Sequence, residues 1–235
     1  MKGLIIKNFY SLRKVFKGWI FTGAGIFAFL LLLKLASLYG NLKDSFEVSD
    51  ISAFMMIFAV GLSVVGSIAI EPMISSEIET GMHRTVRSMP ISYKTNVLSH
   101  YATLGLLTVL GFIIAMIFLL ICDVAGVSEI TGEAVGIIAL VELLVVAFVA
   151  IKICLMNIFR NKALSNWFFM GIIFIVTMSV CGYMKSRGFE NGIDAEIILN
   201  LMNHKALASV IIVSVSTIIV TISCLLSVKI RRGDE

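Results

Sequence analysis

The sequence predicts an all-α membrane protein: six transmembrane helices, an N-terminal interfacial helix before them, and a short cytoplasmic amphipathic helix between the second and third. Three observations predict it. Of the 235 residues, 59% are hydrophobic and 14% charged, with a mean hydropathy of +1.01, a balance foreign to soluble domains. Apolar runs long enough to cross a hydrocarbon core, about 20 residues of helix, recur along the chain. The period-2 alternation of a membrane barrel is absent, so each span has to satisfy its own backbone hydrogen bonds as a helix. Residues 1–235 read as one membrane domain with no room for a second.

Residues 2–19, KGLIIKNFYSLRKVFKGW, form a two-faced helix. Ile5, Phe9, Leu12, Phe16 and Trp19 line one side and Lys2, Lys7, Arg13, Lys14 and Lys17 the other. Such a helix is expected to lie in the headgroup plane, apolar face down and basic face toward anionic lipid. No small-residue cleavage site follows it, which favours a retained anchor over a removed signal peptide. The first span, residues 18–39, contains Lys34. The second, 51–70, has no charge.

Pro72 and Pro90, the two prolines of the chain, bracket a polar stretch. Within it the spacing predicts a helix over 76–89, with Ile74, Ile78, Met82, Val86 and Met89 on one stripe and Glu77, His83, Arg84, Arg87 and Ser88 opposite. Ser76 with Glu79 fits a capping box, Thr80 before Gly81 is a second candidate start, and Pro90 disfavours helical geometry at Met89. The third span covers 98–122, and its uncharged run starts at Tyr101. The fourth, 134–159, carries Glu142 and Lys152; the fifth covers 163–184 and the sixth 206–228. Between the last two, Asp194 is placed to cap a short outer helix burying Ile197, Ile198 and Leu201. That loop is too short for an extracellular receptor domain. Cys122, Cys154, Cys181 and Cys224 fall in or at the ends of spans without a C-x-x-C pair, and read as packing residues.

Orientation follows from the bases, which short cytoplasmic loops concentrate. With the N-terminus inside, the outer side keeps only Lys34, Lys43, Lys185, Arg187 and Lys205 of the 19 Lys and Arg, with most of the acids. Both termini and the 76–89 helix are then cytoplasmic. The basic excess follows a membrane face, so its phosphates are lipid headgroups and no nucleic acid is expected.

No Gly-Lys dipeptide occurs, which excludes a nucleotide-binding loop of the G-x-x-x-x-G-K-[ST] type. H-E-x-x-H and G-x-S-x-G are absent too, and His83, His100 and His204 are too dispersed to converge on a metal. The chain is expected to be no enzyme and to hold no cofactor. Glu142 remains, nearly midway along a span, where an unpaired acid costs about 3 kcal/mol. It has to be protonated, face a polar cavity or find a partner; Lys34 is nearest by depth. Glu142 is expected to line a translocation route or to lock the bundle. Lys152, nearer the inner end, is expected to snorkel.

The opening MKGLIIKNFYSLRK, the stretch SEIETGMHRTVRSMPISYKTNVLSHYA and the six-span spacing resemble the small permease subunits of type 2 ABC exporters. The resemblance rests on Glu77 or Glu79, Thr80-Gly81, Met89-Pro90-Ile91-Ser92 and Lys94, and departs from the family pattern at Met89, Tyr93 and His83-Arg84. It implies an elbow helix at 2–17 and a coupling helix at about 76–89. It implies also a permease dimer, with a second copy or a sister subunit, on two separate ATPase subunits that bind ATP and Mg. The sequence is similar to exporters of amphipathic peptides such as the phenol-soluble modulins. On this reading Glu79, Gly81, Met82, His83, Arg84, Val86, Arg87, Met89 and Pro90 meet the ATPase. The alternative is a membrane scaffold or sensor whose inner helix docks a signalling partner without transport.

Overall fold

A computed structural model of the chain describes residues 2–13, 16–21, 23–25, 28, 32, 48–80, 92–124, 132–186 and 205–229. The described elements are α1 (Lys2–Ser11), α2 (Val48–Ile68), α3 (Ile70–Glu79), α4 (Tyr93–Val124), α5 (Gly132–Phe159), α6 (Lys162–Ser186) and α7 (Lys205–Lys229). Five stretches are long and apolar enough to cross a membrane: Met55–Glu79, Tyr93–Val124, Ala134–Phe159, Lys162–Ser179 and Ser209–Lys229. Most of the expected first span, Lys34 included, lies outside the described residues, as do residues 81–91 and the short helix expected at Asp194.

Between α2 and α3 the helix is interrupted at Ala69 alone. Pro72 explains the break, because it has no N–H for the carbonyl of Ile68 four residues back and its ring crowds that carbonyl. In the first turn of α3 the proline is tolerated. This corrects the expected start of the inner helix: Ser76 is no cap but a residue in the last turns of α3. Its carbonyl accepts the backbone N–H and the hydroxyl of Thr80 at 2.9 and 2.7 Å, closing the helix there. At the other end Ser92 caps α4, its hydroxyl accepting the Thr95 N–H at 3.3 Å. A turn at Arg160 and Asn161 joins α5 to α6; Arg160 adopts φ 49°, and Asn161 accepts the Leu164 N–H at 3.2 Å.

The most extensive packing pairs α2 with α4 and α5 with α7, and α2 against α5 joins the pairs. Between apolar helices in lipid no hydrophobic force acts, so association rests on close packing and interhelical hydrogen bonds. Both are visible where α2 crosses α4. A Cβ on Gly111 would stand 2.4 Å from the Ser63 carbonyl oxygen, and one on Gly66 would stand 2.8 Å from the Leu107 carbonyl oxygen. Only glycine permits that approach. In α7 the small residues Ser216, Ser223 and Ser227 are buried; the Tyr101 hydroxyl of α4 meets Ser227 at 3.0 Å. Trp167, Phe174 and Ile175 of α6 are exposed, as lipid-facing residues of a span should be.

Buried apolar residues form two cores. One contains Met55, Ala59, Leu62, Ala115, Phe118 and Ile138 with Trp19. The other contains Ile70, Met73, Ile74, Leu104, Leu107, Ile153 and Met156 with Leu12. On α2, α4 and α5 alike, the residues between the two cores include polar ones: Ser63 and Ser67, Thr108, and Glu142. A polar layer thus divides the bundle.

The N-terminal helix differs from expectation in what its apolar stripe faces. Leu12 and Trp19 are buried within the cores, and Phe9 and Phe16 pack against them, with the Phe9 and Phe16 rings stacked at 6.0 Å. Asn8 is fully buried and donates to the Thr103 hydroxyl at 3.0 Å. The stripe is therefore occupied by protein rather than lipid; Ile5 is half-buried, while Ile6 and Tyr10 are the exposed apolar residues. Burial of Asn8 next to Leu12 fits that face, since its amide NH2 donates to Thr103 on α4.

Candidate functional site

The end of the bundle that carries α1 is organised around α3. Its acids Glu71, Glu77 and Glu79 radiate to different sides of the axis at about 100° per residue, while Ile70, Met73 and Ile74 turn into the core. Each acid therefore meets a different neighbour. Glu71 pairs with Lys152 of α5 at 2.6 Å. Glu77 pairs with Lys7 of α1 at 2.6 Å and lies 3.3 Å from His100 Nε2 of α4. Glu79 pairs with Lys162 of α6 at 2.9 Å. One ten-residue helix is tied to four others.

The three links differ in burial. The Glu77 side chain is 12% exposed and that of His100 3%, while Lys7 keeps 31% of its side chain exposed, so the carboxylate is largely out of water and the ammonium is not. Lys152 is 17% exposed and also stands over the Phe169 ring, 5.2 Å from its centroid. Lys152, expected to snorkel, has a carboxylate within reach of its ammonium. Glu79 and Lys162 are 56% and 48% exposed.

Of the residues expected to meet a partner, Glu79 is placed on α3; Gly81, Met82, His83, Arg84, Val86, Arg87, Met89 and Pro90 lie outside the described residues. Their stretch is anchored on both sides, by the closed end of α3 at Thr80 and by the Ser92 cap of α4. Its apolar stripe begins on α3, where Ile74 is buried and Ile78 packs against the core. The ionic links of Glu71 and Glu77 escape a reading by loops, because both acids sit beside a span among residues counted for periodicity. The available signal was three acids within nine residues at an end of the bundle rich in Lys and Arg.

Glu142 is the second site. Its side chain is buried, 2% exposed, and its two carboxyl oxygens hydrogen-bond the hydroxyls of Ser63 and Ser67, one turn apart on α2. Ser67 Oγ also lies 3.0 Å from Thr108 Oγ1, and the Thr108 hydroxyl donates to the Leu104 carbonyl at 2.9 Å. No ion pair reaches Glu142 among the described residues, and the expected partner Lys34 lies outside them. The arrangement joins α2, α4 and α5 through hydroxyls. Sequence reasoning found the acid and missed the serines, which carry no charge to betray them.

No group of three or more His, Cys, Asp or Glu able to hold a metal occurs among the described residues. Cys122, Cys154 and Cys224 are free thiols.

The family model described as ABC-2 family transporter protein matches residues 3–231. No curated protein and no solved structure matches the chain.

Proposed function

Because the chain belongs to the ABC-2 transporter family and so is a multi-pass permease component of an ABC transporter that works with an ATPase, we propose that it exports an amphipathic or hydrophobic cargo, powered by two copies of a separate ATPase subunit. In this reading the chain has six spans and both termini in the cytoplasm of a bacterium, and it dimerises with a second copy or a sister permease. It carries no catalytic residue; ATP and Mg belong to the partner. A peptide of the phenol-soluble modulin kind is the cargo class that its sequence resemblance favours.

The observation that supports the mechanism is the anchoring of α3. Residues 81–91 follow directly on a helix whose carboxylates hold α1, α4, α5 and α6. A force applied by an ATPase at Met82, His83, Arg84, Val86 and Arg87 is passed at once to four helices. Close-packed helices answer such a force by switching between discrete arrangements. The N-terminal elbow is one of the four, gripped through Lys7 and Asn8.

Met82→Glu and Val86→Glu place a charge on the stripe that would face the ATPase. Each is expected to abolish copurification of the ATPase or the cargo-stimulated part of its hydrolysis, with the chain still in the membrane. Wild-type copurification and wild-type coupled hydrolysis in both variants would reject this reading and favour a scaffold without transport.

A further inference from the structure

The N-terminal segment runs alongside α4, and one of its faces changes from charge to hydrocarbon within a turn. Asn8 meets Thr103, and Trp19 stands against the crossing of α2 and α4, where a Cβ on Gly66 would lie 3.0 Å from its Cη2 atom and 3.4 Å from the Gly111 Cα. The segment and α4 therefore ascend together. Helical hydrogen bonding continues past α1, with the Phe16 N–H donating to the Leu12 carbonyl at 3.0 Å, so Arg13, Lys17, Ile20 and Phe21 share one face at about 100° per residue. All four are exposed. Neither base has a carboxylate within ion-pair reach among the described residues. Just beyond Lys17 a cavity of about 410 Å³ opens, with Trp19, Ile20 and Ala24 on one side and Ile114, Ile117 and Ile121 of α4 on the other.

We propose that this face and cavity bind one anionic phospholipid, its phosphate between Arg13 and Lys17 and one acyl chain in the cavity. Depth agrees with that occupant. The pair of Glu71 and Lys152 lies where charges gather at this end of the bundle, and Gly66, beside Trp19, is five residues farther into the membrane, about 7.5 Å of helix. Lys17 and Arg13 precede Trp19 by two and six residues and so fall at the level of the headgroups. From Ile114 to Ile121 the cavity follows about 10 Å of α4, within the roughly 15 Å that the chains of one leaflet occupy. Its walls are apolar, so a chain fits and a polar solute does not. The Trp19 indole is 5% exposed, and its N–H finds no acceptor among the described residues. Between phosphate and chain a membrane supplies the glycerol ester carbonyls as acceptors. A zwitterionic lipid would bring its own cation beside two bases, which selects an anionic headgroup.

The test uses the full chain with Trp167→Phe, which leaves Trp19 as the single tryptophan, in phosphatidylcholine nanodiscs containing lipids brominated on their acyl chains, which quench a nearby indole. Brominated phosphatidylglycerol is expected to quench Trp19 with an affinity about 25-fold above that of brominated phosphatidylcholine, about fivefold for each base. Arg13→Gln with Lys17→Gln should abolish that preference, and Ala24→Phe, which fills the cavity, should lower quenching by both lipids. These three positions are exposed, and the comparison of headgroups in the parent needs none of them changed. Equal quenching by the two headgroups in the parent, or a preference that survives loss of both bases, overturns the proposal. Undiminished quenching in Ala24→Phe overturns it too, as does displacement of the brominated lipid by soluble glycerol phosphate, which would show an anion pocket without a chain.

Discussion

Glu77 and Glu142 are the same residue type, both largely buried, and the bundle satisfies them in opposite ways. Glu77, at the end of the bundle, is met by Lys7 and approached by His100. Glu142, between the two cores, is met by Ser63 and Ser67 and by no ion pair among the described residues. Charge is tolerated where a partner or water can reach it. Near the membrane surface water and long basic stems can reach a carboxylate, and a paired ion holds elements that have to move together. At mid-membrane an unpaired ion costs about 3 kcal/mol even on insertion scales, and there two hydroxyls one turn apart supply the hydrogen bonds to the carboxyl.

The largest effect is expected at Gly111. Its missing Cβ lets α4 approach the Ser63 carbonyl, next to the hydroxyl that binds Glu142. Gly111→Ala puts a carbon 2.4 Å from a backbone oxygen, which has no rotamer to yield, so the helices have to part. Overpacking of this kind costs about 1–3 kcal/mol, and the upper part of that range is expected here because Ser63 moves with the backbone. Thermal unfolding in detergent should show the loss. Gly105 on the same helix has nothing within 4 Å of its would-be Cβ, so Gly105→Ala should unfold no earlier than the parent. Equal melting of the two alanine variants would mean that the close crossing does not hold the polar layer.

That crossing also marks the limit of what the sequence discloses. The second, third, fifth and sixth expected spans are legible from uncharged runs and the fourth from an apolar run interrupted at Glu142 and Lys152, since length and hydropathy report a helix in lipid directly. The break at Ala69 is not, because periodicity and the candidate caps place the start of the inner helix at Ser76 or Thr80, beyond Pro72. A proline in a first turn and one at a helix end look alike until the carbonyl four residues back is located. The apolar stripe of Phe9, Leu12, Phe16 and Trp19 was legible as a stripe, yet periodicity does not say whether lipid or protein covers it; fully buried Asn8 and its bond to Thr103 decide for protein. Glu142 stood out as a lone acid, while Ser63 and Ser67 look like any small residues of a packed span. Lys152 was readable as a base near a span end, but its partner Glu71 lies far away in the sequence and only the packing of α3 on α5 joins them.

A smaller effect is expected at the end of the bundle. Glu77→Gln removes the charge that faces Lys7 and His100 and leaves an ammonium 31% exposed beside a buried imidazole. Since Lys7 can still turn partly to water, the expected destabilisation is about 1–2 kcal/mol. A double-mutant cycle with Lys7→Met separates the pair from its surroundings, and its coupling should fall as salt is raised. Coupling indistinguishable from zero at low salt would place the hold on α1 in Asn8 and the aromatic stripe instead.

The least effect belongs to Glu79 and Lys162. Their nitrogen and oxygen stand 2.9 Å apart, hardly farther than in the Lys7 and Glu77 pair, yet both side chains are about half exposed. Exposed pairs gain little from Coulomb attraction in high dielectric and lose side-chain freedom in forming. Glu79→Gln, Lys162→Met and the double variant should therefore unfold together with the parent in thermal melts. Their value lies in transport: Glu79 is the last residue of α3, immediately before the stretch proposed to receive the ATPase. Should the single variants lower cargo-stimulated hydrolysis with no change in melting, the link to α6 carries force without carrying stability. Unchanged hydrolysis would confine that role to the less exposed links at Glu71 and Glu77, and would make burial rather than distance the property that qualifies an ion pair to transmit motion here.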